Sequence, residues 1–146
     1  MAVSKKHDIG DWSSRDLMTY WRECWKKYKK EDYTQRGYIG NDQSALKSLL
    51  DDHQVFEVAL KMSEAIRTST VPSIKAFCGR YDTIKSTTNL QPRHAWYIIN
   101  YGTDKQRKIK QELEFLYATW FPDSGTRKKI SEYEDQLDEW IEGLKK

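Results

Sequence analysis

Between residues 22 and 38 the chain interleaves cations with aromatic rings. Arg22, Lys26, Lys29, Lys30 and Arg36 alternate with Trp25, Tyr28, Tyr33 and Tyr38, next to a loop that carries Gly37 and Gly40. Exposed aromatic rings stack on unpaired bases, and lysine and arginine take the phosphates. The pattern predicts a nucleic-acid surface made of Arg22, Lys26, Lys29, Lys30, Tyr33, Arg36 and Tyr38. A second basic patch is Lys105, Arg107, Lys108 and Lys110, and a third is Arg127-Lys128-Lys129 at the start of the last predicted helix. Cations at a helix start oppose its dipole at a cost of about 0.3–1 kcal/mol each, which argues for another use such as phosphate contact. The competing reading is that the aromatics form core and the lysines only solubilise the chain.

The last predicted helix carries the opposite chemistry. Tyr133, Trp140 and Ile141 lie among Glu132, Asp135, Asp138, Glu139 and Glu142. An acidic-aromatic face repels phosphates, so these three residues are expected to meet a protein partner or a second copy in a homo-oligomer.

Other chemistries find no constellation. Zinc needs cysteines and histidines clustered a few residues apart, but His7, His53, His94, Cys24 and Cys78 are isolated. No Gly-x-Ser-x-Gly elbow is present. Gly37 and Gly40 lead into Asn41-Asp42 rather than into the Lys-Ser or Lys-Thr of a phosphate loop. Asp51/Asp52 and the acidic residues after Ser131 read as solvated helix faces. Met62–Ile84 gives helix, turn, helix, but Lys75 falls where a helix-turn-helix reader needs a buried residue. The expectation is a non-enzymatic protein with no cofactor and no metal.

These groups need elements to hold them. Of 146 residues, 38% are hydrophobic, 32% charged and 13% aromatic, with six Trp and nine Tyr. Disordered chains are poor in aromatics, so this one folds, and its rings carry much of the core. The net charge of +3 comes from residues 1–40, with nine Lys/Arg against six Asp/Glu. No apolar run is long enough to span a membrane. With no signal-peptide pattern and two cysteines on apolar faces, the expected location is the cytoplasm, or a host's cytoplasm for a viral protein.

The periodicity predicts an all-α protein, a compact bundle of six or seven helices. Residues 1–11 read as a frayed tail. The first helix follows a Ser13 or Ser14 cap and buries Leu17, Trp21, Cys24, Trp25 and Tyr28, with Arg15, Arg22, Lys26 and Lys29 on another side. Asp42 is expected to cap a second helix. A third spans about 54–67, and Pro72 is expected to open a fourth that buries Ile74, Phe77, Cys78, Tyr81 and Ile84. Residues 93–101 favour helix over strand, and a helix from 103 or 104 to 120 turns Ile109, Leu113, Leu116, Tyr117 and Trp120 inward. The last helix runs from about 126 to 144. Residues 86–92 read as a linker between a helical domain, 1–85, and a C-terminal helical subdomain, 93–146.

The order of features over residues 18–84 is similar to a known arrangement. An aromatic helix (Tyr20-Trp21, Trp25, Tyr28) precedes Gly37-Tyr38, then Asp42 ahead of Ala45–Leu50, then Val55–Leu60, then Pro72-Ser73-Ile74-Lys75-Ala76-Phe77. This resembles the small helical domain of phage replication proteins of the replisome-organiser and helicase-loader type. The resemblance implies a DNA-replication accessory protein that contacts single-stranded DNA and a replication protein such as a helicase. It assigns no role to an individual residue, and the chain from about Leu90 is unmatched. The alternative is a protein-interaction or assembly module, such as a small terminase-like packaging subunit or an inhibitor of a host protein.

Overall fold

The computed structural model describes residues 9–35, 39–84 and 88–145. Within them the protein is all-α. Its helices are α1 (Ser14–Lys29), α2 (Ile39–Asp52), α3 (Val55–Arg67), α4 (Ile74–Gly79), α5 (Pro92–Tyr101), α6 (Asp104–Tyr117) and α7 (Ser124–Leu144). Short 3-10 turns occupy Ile9–Asp11 and Tyr81–Thr83, and no strand occurs among the described residues. The chain divides into two compact units, Met1–Thr87 and Thr88–Lys146. No helix among the described residues is long and apolar enough to cross a membrane.

Unit 1 holds α1 to α4. The Ser13 hydroxyl caps α1 by accepting the Asp16 N–H, and the Asp16 carboxylate accepts the Ser13 N–H at 3.0 Å. This reciprocal box satisfies two amides that the first turn leaves without helical partners. The helix buries Leu17, Met18, Tyr20, Trp21 and Cys24, while Trp25 and Tyr28 are half-buried. Trp21 is fully buried, with ring centroids of Phe77 at 5.6 Å, Tyr33 at 5.8 Å and Trp25 at 6.1 Å. α3 packs against α1 and is buried nearly all round from Val58 to Ile66, with Lys61 half-exposed. Ala59, Ser63 and Ala65 are buried on it, and the Ser63 hydroxyl donates to the Leu60 carbonyl at 2.9 Å. Buried Glu64 is neutralised by Arg67 at 2.6 Å.

Four expectations for unit 1 change. Residues 9–11 form a 3-10 turn with Ile9 fully buried, so the ordered fold reaches into the expected tail. α2 begins at Ile39, so Asp42 lies inside its first turn rather than at the cap. Its buried carboxylate accepts from the Gln35 side-chain amide. An acidic group there also suits the helix dipole, which is why a first-turn aspartate mimics a cap in sequence. α4 begins at Ile74, not Pro72, because the Ser73 hydroxyl accepts the Ala76 N–H at 3.2 Å and becomes the cap. α4 has only six residues, and Cys78 on it is half-buried rather than core.

Unit 2 holds α5 to α7. Pro92 occupies the first turn of α5, and Gln91 before it is extended at ψ 138°, as a residue preceding proline prefers. Gly102 ends α5 by donating its N–H to the Ile98 carbonyl at 2.8 Å. A Cβ there would lie 2.4 Å from that same oxygen, so the position admits glycine only. α7 starts at Ser124 with Asp123 as its cap, accepting the Thr126 N–H at 2.7 Å.

The interior of unit 2 includes a polar contact between α5 and α7. His94 is buried, and its Nε2 lies 2.7 Å from Asp138 Oδ1. Arg93 reaches the same oxygen at 3.2 Å and Glu142 at 3.1 Å. His94 Nδ1 is buried with no hydrogen-bond partner, so Asp138 is the ring's single polar contact.

Two expectations for unit 2 are corrected. α6 ends at Tyr117, so Trp120 lies beyond the helix and is 85% exposed instead of core. Ile141, expected on a docking face, is fully buried. It and Leu137 form the inward stripe of α7.

Candidate nucleic-acid interface

α1 presents its cations on the side opposite its core. Arg15, Arg22 and Lys26 are exposed and lie seven and four residues apart, which places them along one face. The face borders an open groove of about 550 Å³ lined by Thr19, Arg22, Glu23, Lys26, Lys27, Asp32 and Tyr33. Lys26 Nζ lies 3.4 Å from Asp32, an ion pair so exposed that phosphate competes for the lysine at little cost.

The remaining expected residues divide. Lys30 is exposed and closes α1 in a left-handed conformation, φ 62°, donating its N–H to the Lys26 carbonyl. Lys29 is half-buried, with its ammonium on Ser69 Oγ and 5.6 Å from the Trp25 ring centre. Tyr33 is half-buried: it lines the groove and also packs inward. Its ring meets Trp21 and Trp25 edge-on, and its hydroxyl accepts the Ile74 N–H at 3.3 Å. Arg36 and Tyr38 lie outside the described residues. The arrangement on α1 is therefore mainly electrostatic, with the half-buried rings of Trp25, Tyr28 and Tyr33 beside it.

On the expected protein-docking face, Tyr133 and Trp140 are half-buried beside exposed Glu132, Asp135, Glu139 and Glu142. In the second basic patch Lys105 and Lys108 are exposed, Arg107 pairs with Asp104 at 3.2 Å and Lys110 with Glu114 at 2.9 Å. In the third, Arg127, Lys128 and Lys129 are all exposed.

One surface feature has no counterpart in the expectations. Phe115, Trp120 and Phe121 are 74%, 85% and 93% exposed where α6 gives way to α7. Pro122 disfavours helical geometry at Phe121, but α6 already ends at Tyr117, four residues earlier, and Phe115 is exposed within the helix itself.

Among the described residues no group of three or more His, Cys, Asp or Glu side chains gathers to hold a metal ion. Both cysteines are free thiols. Burial pushes the Cys24 thiol up to about 12. Burial, helped by the Asp42 carboxylate, pushes Cys78 up to about 11. Both thiols are therefore far less ionised near neutral pH than a free cysteine. Alkylation of the native protein at pH 8 is expected to be slow at both sites and to become fast in denaturant, as counted by mass spectrometry. Fast native modification of either cysteine would contradict the burial described.

The chain matches no family model, no curated protein and no solved structure.

Proposed function

We propose that the protein is a non-enzymatic accessory factor of DNA replication that binds single-stranded nucleic acid without strong sequence preference and also contacts a replication protein such as a helicase. The observation that carries the nucleic-acid part is the polarity of α1, with Trp21 and Leu17 fully buried and Arg15, Arg22 and Lys26 on the solvent side. Base-specific readout would need a rigid array of donors and acceptors held toward base edges. Long, mobile lysine and arginine side chains on an open face suit phosphates instead. The replication context rests on the resemblance of residues 18–84 to helicase-loader-type domains.

The test is anisotropy of a labelled oligo(dT) across a salt series. Binding to single strands weakens with a slope of about −0.7 per phosphate contact in log affinity against log salt. Replacing Arg22, Lys26 and Lys30 together with alanine is expected to flatten the slope by about 2 and to weaken binding evenly across sequences. Lys29 is left in place because Ser69 already holds it. Absence of any oligonucleotide binding by the wild-type protein at about 50 mM salt would remove this reading. It would favour an assembly module using the acidic face of α7, which light scattering would then test.

A further inference from the structure

Unit 2 turns three large aromatic side chains into solvent at one corner of the α6–α7 hairpin. Phe115 lies near the end of α6, and Trp120 and Phe121 lie in the connection, with ring centroids 6.4 Å apart and tilted by 47°. Phe121 is backed into the left-handed region at φ 52°, where L side chains are disfavoured and glycine fits best. Its ring is almost wholly exposed, so packing does not compensate for that backbone.

The surroundings say what the rings would meet. Arg127, Lys128 and Lys129 lie within the first two turns of α7, all exposed and none in an ion pair among the described residues. Asp123, four residues before Arg127, caps α7, and its hydrogen bonds from Thr126, with the Lys129 charge nearby, hold its carboxyl below the usual range; exposed Glu132 lies four residues after Lys128. The corner is thus aromatic and cationic. All three large apolar side chains exposed in unit 2 are rings, with no exposed large aliphatic among them. Flat exposed rings beside cations suit the faces of unpaired bases and their phosphates.

We propose that this corner is a contact for single-stranded nucleic acid, with bases stacking on Trp120 and Phe121 and phosphates held by Arg127, Lys128 and Lys129. It rests on the nucleic-acid reading above and adds to it two exposed rings, where Tyr33 beside α1 is half-buried. It also gives a use to the third basic patch of the sequence, in the same unit as the acidic-aromatic face expected to meet a protein partner.

The test uses the full chain and three variants, Trp120→Ala, Phe121→Gly, and Arg127→Ala/Lys128→Ala/Lys129→Ala, titrated against labelled oligo(dT). Because both rings are exposed, the aromatic variants should melt no lower than the wild type, and Phe121→Gly should melt slightly higher. Each is expected to weaken oligonucleotide binding roughly tenfold or more. The triple variant is expected to flatten the salt slope by about 2. Wild-type affinity in both aromatic variants, with loss only in the α1 variant, would overturn this proposal and leave the general reading standing. Absence of wild-type binding would overturn both. Sedimentation with phosphatidylserine vesicles that depends on Trp120 and Phe121, without their effect on oligo(dT), would reassign the corner to a membrane surface.

Discussion

Trp21→Ala is expected to unfold unit 1 or bring it to the edge of unfolding. The indole is fully buried and touches three other rings. Truncating a buried Trp costs about 3–5 kcal/mol, from lost transfer energy plus the cavity left behind. A domain's whole stability is about 5–15 kcal/mol, and a small unit sits near the lower end. The same substitution at Trp120 should move stability by less than about 0.5 kcal/mol, since an exposed ring leaves no cavity. Urea unfolding followed by far-ultraviolet circular dichroism compares the two. Equal midpoints for Trp21→Ala and Trp120→Ala would refute the packing described for α1.

The second large effect belongs to Asp138. Its carboxylate is the one polar contact of the buried His94 ring, because Nδ1 has none. Asp138→Ala therefore leaves a buried imidazole entirely without a partner, at a cost of about 1–3 kcal/mol. The Asp138 side chain is itself 48% exposed, so solvent screening holds the loss toward the lower half of that range. Arg93 keeps Glu142 at 3.1 Å and contributes little to the loss. Asp138→Asn retains an acceptor and should lose less than Asp138→Ala. Asp32→Ala breaks the fully hydrated pair with Lys26 and should change stability by no more than about 1 kcal/mol. Thermal melts of the three variants rank these effects. An Asp138→Ala melt equal to the wild type would mean that the α5–α7 contact contributes nothing to stability.

Local signals carried most of the helices and little of the site. The buried stripe of α1 and its Ser13–Asp16 box were readable because both depend on residues within a few positions of one another. Asp42 and Pro72 misled because an acidic first turn and an N-terminal proline look alike at neighbouring positions, and only the hydrogen-bonding partner decides which is the cap. The partner of Asp42 is Gln35, seven residues back, and that of the Ala76 amide is Ser73. The contact of His94 with Asp138 spans 44 residues and leaves no periodic trace. Tyr33 read as a free ring because nothing nearby in sequence shows that Trp21, Trp25 and Ile74 surround it. Trp120 was placed inside because the apolar register of α6 was carried three residues past Tyr117, where the helix ends.

Six tryptophans make this chain bright, but they do not share one environment. Trp12, Trp21 and Trp96 are buried, Trp25 and Trp140 are half-buried, and Trp120 alone stands in water. Water dipoles relax around an excited indole and shift its emission to longer wavelength, while a packed interior cannot. The red edge of the protein's own emission therefore belongs mainly to Trp120. Excitation at long wavelength, or a small neutral quencher such as acrylamide, would select that indole from the other five. The corner between α6 and α7 thus carries a built-in optical reporter, able to register whatever settles there without a label added to either molecule.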